Sequence, residues 1–219
     1  MKHVLWAGFS IFAFLLVMTP LVLENRKKID RSQAMNQCRS IYLVLMDFES
    51  DMGNFPDDET AATASELHTF RGSTSNDYVG QLIAGGYVRS ETIFWNTDMK
   101  SSGAPPDEVI SPPSRILEKN ECGFSYVMME VNGTRRGLST DDMGGMPILV
   151  TPLVDPTGVC NPKPYDHHAL HLRVDGSVVS ERLCSSDRKI PLQRGGTIFD
   201  QGAGTMWGNS KPVVLLPER

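Results

Sequence analysis

Apolar residues are distributed in two regimes along this chain. From Val4 to Leu23 there are twenty residues without a charge, and after a charged collar from Glu24 to Arg31 the apolar positions thin into a stripe: Ala34, Cys38, Ile41, Leu45, Phe48 and Met52. Twenty residues rising about 1.5 Å each span about 30 Å, the thickness of a bilayer hydrocarbon core, so residues 1–23 are expected to form a transmembrane anchor helix. A cleaved signal peptide needs a shorter run closed by a small-x-small site, whereas this one ends Pro20-Leu21-Val22-Leu23-Glu24. Pro20 lacks an amide hydrogen and crowds the carbonyl one turn back, which predicts a kink near the outer membrane boundary and no break. The stripe steps by four, three, four, three, four, the period of one helix face, with Asn36, Gln37, Arg39, Asp47, Glu49 and Asp51 largely off it. Residues 24–56 therefore predict an amphipathic spine, stopped by Gly53 and Pro56. As a coiled-coil seam the stripe lasts only about three heptads and contains Cys and Ala, so a spine packed on its own globular head is the better reading.

Residues 57–219 change period. Asp57 to Ser75 is polar and reads as a surface loop; Asn76 or Asp77 can cap a short helix Tyr78–Ala84 that ends at Gly85-Gly86. Ile93-Phe94-Trp95 predicts a buried patch, and Lys100 to Pro113 a Pro/Ser/Gly connector. Strand-like runs follow at Gly123–Val131, Pro147–Thr151, Ala169–Val174 and Ser177–Leu183, the last two flanking Asp175-Gly176, a hairpin signal that predicts a type I′ turn with positive φ at both positions. The fold class expected is α+β: a long N-terminal helix, half transmembrane and half amphipathic, packed on a small antiparallel β-sheet head.

Charge and cysteines narrow the function. The formal net charge is −5, and setting Lys2 aside leaves the part after the apolar run more acidic still, without the basic field that phosphate backbones require; nucleic acid is not an expected partner. Cys38, Cys122, Cys160 and Cys184 are far apart with no C-x-x-C pair, which argues against a zinc knuckle or thioredoxin-like site. Their even number beyond a membrane anchor predicts disulfides in an oxidising compartment, the alternative being buried free thiols.

The segment NRKKIDRSQAMNQCRSIYLVLMDFESDMGNFP, Asn25 to Pro56, resembles the post-membrane helix of type IV pilins, and especially of the major pseudopilins of type II secretion. Phe48, Asp51, Gly53-Asn54 and Phe55-Pro56 match its closing pattern, and Pro20 falls where that family has its membrane proline. The hairpin HHALHLRVDGSVVSE, with Gly86-Tyr87-Val88 and Cys122 to Val127, is similar to pilin-like families found in planctomycete and verrucomicrobial genomes. The resemblance implies a non-enzymatic structural or assembly subunit. Its partners would be other pilin-like subunits or secretion or pilus machinery, together with inner-membrane lipid. It would be a single-pass protein of the inner (cell) membrane with its head in the periplasm or other extracytoplasmic space. The basic collar Arg26, Lys27, Lys28 and Arg31 would by charge alone keep the head in the cytoplasm; pilins share that collar yet export their heads. A pilin leader ends in Gly before Phe with a Glu four residues on. Here those positions fall at or before Met1, and Gly8-Phe9 is out of register with Pro20 and has Ala13 in place of the acid. An uncleaved anchor is expected, and a membrane-anchored extracytoplasmic binding module outside any filament is the alternative. The family's disulfide-bounded C-terminal region implies a Cys160–Cys184 pair. Its calcium loop makes Asp141 and Asp142 candidate Ca²⁺ ligands, although two adjacent carboxylates fall short of the six to eight oxygens needed and an exposed acidic turn is the plainer reading. No other cofactor is implied.

Among other chemistry, His167 and His171 would share a strand face about 13 Å apart, too far to hold one ion, with His168 pointing away. No G-x-S-x-G and no G-x-x-x-x-G-K-[ST] occurs.

Overall fold

The computed structural model describes residues 2–99, 105–192 and 195–219, with the helical backbone alone for 2–21. Helix α1 runs Lys2–Met52 and continues without interruption through the collar. It stops where the sequence predicts: Gly53 takes φ +87° and its amide donates to the Glu49 carbonyl at 2.7 Å, a left-handed cap that costs glycine nothing. Ala34, Cys38, Ile41, Leu45 and Phe48 are all buried and Met52 is half-buried, so the stripe is the face by which α1 enters the core. Among the described residues no helix is long and apolar enough to cross a membrane. The run expected to cross lies almost wholly outside the residues whose side chains are described, as does Pro20 with its kink.

The stripe is covered by an antiparallel sheet of β1 (Ser125–Val131), β2 (Thr134–Arg136), β3 (Pro147–Thr151), β4 (His168–Arg173), β5 (Val178–Arg182) and β6 (Lys211–Leu215). Its order is β2-β1-β3-β4-β5, with β6 paired to β1 from Tyr126 to Glu130. Helix α1 lies against β4 and β5. Leu170 of β4 packs on Ala34 and Tyr165 at the helix side, while its neighbour His171 faces Pro191, Leu192, Ile198 and Met206, as alternation along a strand requires. The segment after β5, with Ile190, Ile198 and Trp207 in the core, thus covers the second face, which explains why all of β3 and most of β1 are buried.

Four strands match the expected runs to within two residues; β2 and β6 were not expected. The β4–β5 turn differs from the type I′ expectation. Gly176 has φ +79° but Asp175 does not take positive φ. Gly176 N donates to Arg173 O at 3.0 Å and Arg173 N to Ser177 O at 2.9 Å, which makes a three-residue loop, Val174 to Gly176, with glycine alone in the left-handed region. The tip rests on α1: Tyr42 Oη donates to Val174 O at 3.1 Å, and a Cβ on Gly176 would sit 2.6 Å from the Tyr42 ring.

The segment Asp57 to Ser75 is not a surface loop. It holds helix α2 (Thr60–Thr63) and a 3₁₀ turn Ser65–Leu67, and it buries Asp57, Thr60, Ala61, Leu67 and Phe70. Asp57 accepts from Thr60 N at 2.8 Å and from Gly137 N at 3.0 Å, which fixes this segment to the residue just past the end of β2. Helix α3 spans Ser75–Ala84, and its cap is Thr74, in a reciprocal capping box with Asp77, where the sequence had pointed to Asn76 or Asp77 itself. Asn76 instead donates to Leu117 O at 2.7 Å and accepts from Glu218 N at 2.9 Å, joining α3 to the C-terminus.

Candidate functional site

Beyond the core stripe, α1 exposes a second set of apolar side chains: Val22, Leu23, Ile29 and Leu43. Ile29 and Leu43 are fourteen residues apart, about four helical turns, and both point away from the sheet. The collar makes surface ion pairs, Lys28 to Glu24 at 2.8 Å and Lys27 to Asp166 at 4.0 Å, each too exposed to add much stability. Lower on the same helix Gln37 donates to Trp95 O at 2.7 Å and to Thr92 O at 3.1 Å, clamping the 3₁₀ turn Glu91–Phe94 against α1.

The residues singled out from the sequence do not converge. Asp142 is occupied: Arg136 donates to its two oxygens at 2.6 and 2.9 Å and Ser139 N at 2.9 Å, leaving Asp141 exposed beside a closed ion pair. All four cysteines are free thiols. Cys38 and Cys122 are buried in the core, where burial pushes their thiols up to about 12 and about 11. Cys160 N donates to Arg188 O and Arg188 N to Cys184 O, both at 3.0 Å, so the implied pair does lie on either side of one residue. The sulfurs, however, turn to separate partners, Cys160 Sγ to Gly158 O at 3.7 Å and Cys184 Sγ to Ser186 Oγ at 3.2 Å. His167 sits at φ +60° ahead of β4, and His171 is buried inside it. Arg173 Nε donates to His171 Nε2 at 3.0 Å, and burial next to that guanidinium pulls the imidazole down to about 4. It stays neutral and is not poised as a base at neutral pH.

What the structure does bring together is a set of carboxylates from three distant stretches. Glu91 opens the 3₁₀ turn after α3, Asp107 lies in the Pro-rich connector, and Glu121 stands just before β1. One oxygen of each lies within 4.8 Å of the others. Glu91 and Glu121 are buried and Asp107 is exposed, so the group opens to water on one side. Backbone amides hold the arrangement: Leu117 N donates to Glu91 Oε1 at 2.7 Å, Glu118 N to Glu121 Oε2 at 2.6 Å and Asp107 N to Glu121 Oε1 at 3.3 Å. Glu108 caps the turn, accepting from Thr92 N at 3.1 Å and Ser90 Oγ at 3.0 Å; burial pushes its carboxyl up, and these donors outweigh that and hold it low. Glu91 Oε2 is buried and has no hydrogen-bond partner. Burial, with Glu121, Asp107 and Glu108 adding repulsion against the one amide bond, pushes Glu91 up to about 6, and burial raises Glu121 as well. Arg115 is the counter-charge at the rim, paired with Asp107 and with Glu118.

Sequence reasoning passed over this group because its members are sixteen and fourteen residues apart with no motif spacing. The signal that was present is the density of acids in the connector and just after it, Asp107, Glu108, Glu118 and Glu121. No protein-family model, no curated protein and no solved structure matches the chain.

Proposed function

We propose that this protein is a membrane-tethered, pilin-like structural subunit whose head is carried on its own anchor helix and which assembles side by side with other such subunits. The observation that carries the reading is the division of labour along α1. An uncharged run of twenty residues leads into a helix whose inward stripe completes the core of the head, while Ile29 and Leu43 stay bare on the outward face. Two bare apolar side chains on the outer face of a helix that is already packed are consistent with a second helix lying against it. The absence of sequence motifs for nucleophilic or phosphate chemistry agrees with a structural part.

The reading is tested by placing a photo-crosslinking amino acid at Leu43 or Ile29 in the full chain and irradiating native membranes. Multimers of the chain, or adducts with other single-helix tethered subunits, are the expected products. Exclusively monomeric product from both positions, with the same probe at a buried position such as Leu45 as the blank, overturns it.

A further inference from the structure

The carboxylates between the Glu91–Phe94 turn and β1 have a geometry that charge repulsion alone would undo. Three like charges converge, two of them buried, and one oxygen of the innermost, Glu91 Oε2, is out of water with no donor facing it. A buried carboxylate oxygen is normally satisfied, and leaving it bare costs the full desolvation of the group. The chain nevertheless holds it there, the amides of Leu117, Glu118 and Asp107 orienting the carboxylates.

We propose that Glu91, Asp107 and Glu121 form a binding site for Ca²⁺. The donor set is all hard oxygen, the chemistry of Ca²⁺ and Mg²⁺ and not of Zn²⁺ or copper. Two oxygens bound to one Ca²⁺ at about 2.4 Å can be at most about 4.8 Å apart, and the three ligand oxygens fall inside that limit without rearrangement. Their spread and the open side at Asp107, where water can complete the shell, suit the larger and more permissive ion; Mg²⁺ demands near-ideal octahedral geometry at a shorter distance. Arg115 stays at the rim on Asp107 and Glu118, and the buried oxygen of Glu91 is left to the ion. Bound there, Ca²⁺ ties the turn, the connector and the entry to β1 into one unit, and through Gln37 the turn is tied to α1. This site does not depend on how the protein is anchored or what it assembles with.

The test uses the full chain in detergent, stripped with EGTA and titrated with CaCl₂ by calorimetry, with thermal unfolding followed in parallel. One Ca²⁺ per chain and a melting temperature that climbs with Ca²⁺ concentration are expected. Glu91→Gln and Glu121→Gln should each weaken binding at least about tenfold, the loss that follows removal of one charged ligand from a small set. Glu91→Gln keeps an acceptor for Leu117 N and gives the facing carboxylates a donor, so it should melt in EGTA no lower than the parent chain. Asp141→Asn, at the exposed position beside the Arg136–Asp142 pair, should bind as the parent does. No heat and no stabilisation at about 10 mM Ca²⁺, beyond the weakest protein sites, overturns the proposal. So does a Glu91→Gln or Glu121→Gln chain that titrates like the parent, and a response to Mg²⁺ as large as that to Ca²⁺ overturns the choice of ion.

Discussion

Phe48→Ala removes the last fully buried side chain of the α1 stripe and measures how far the head depends on the helix that carries it. Phe48 has no solvent exposure, and its ring meets Tyr87 edge-on at 5.1 Å between centroids and 64° between planes. Truncating a core phenylalanine costs about 3 to 5 kcal/mol, including about 1 kcal/mol for an aromatic pair of this geometry. The site is walled by helix and sheet and has little room to collapse, so about 4 kcal/mol is expected. At about 2 to 4 °C per kcal/mol for a unit of this size, melting should fall by about 8 to 16 °C. Near-UV circular dichroism on the full chain in detergent is a suitable assay, because Trp207, on the far face of the sheet, is 2 % exposed and contributes a signal from the head that is remote from the helix. Leu43→Ala is the control: the side chain is 66 % exposed and should cost within about 0.5 kcal/mol. The reasoning is refuted if Phe48→Ala costs less than about 1 kcal/mol, or if the helical signal melts early while the tertiary signal stays put.

Two buried groups should shape the acid limb of stability in EGTA. His171, lowered to about 4 from its ordinary 6.5, contributes stability that is complete above 6.5 and lost as pH falls toward 4, up to about 3 kcal/mol; His171→Leu should flatten that loss in urea midpoints measured from about pH 4 to 7. Glu91, raised to about 6 from 4.5, runs the other way: its contribution is complete below 4.5 and lost as pH rises through 6. With water on the Asp107 side that is about 1 kcal/mol, and Glu91→Gln should abolish it. Of the four thiols, only half-exposed Cys184 should react quickly with a disulfide reagent in the native chain. Cys38, Cys122 and Cys160, pushed by burial to about 12, 11 and 12, should react only on unfolding, and a fast count of zero or of two or more contradicts the structure.

What could be read from the sequence was whatever repeats with a period. The α1 stripe and the runs of β1, β3, β4 and β5 are periodic or continuously apolar because each faces one environment along its length. Strand β2 has three residues, two of them arginine, and β6 carries Pro212 opposite Met129; each is too short or too broken to register, and each is recognisable only beside β1, which supplies the partner. The Asp175-Gly176 signal located the hairpin but not its loop length, since contact with Tyr42 settles the turn. Counting cysteines does not locate them, because Cys38 stands in the stripe as a small apolar residue and parity carries no information about such a position. The acidic group was out of reach for the opposite reason: three residues with no local relation meet only once the chain between the Glu91 turn and β1 has folded back on itself.

Because five core residues of the head, Ala34 through Phe48, are supplied by α1, the edge of the folded core does not coincide with the border between helix and sheet. Cutting the chain at Asp57, where the fold changes character, would strip the sheet of its lid and leave a sticky remnant. A well-behaved shortened version has to begin inside the helix, upstream of Ala34, and keep a stub of rod as part of its globule.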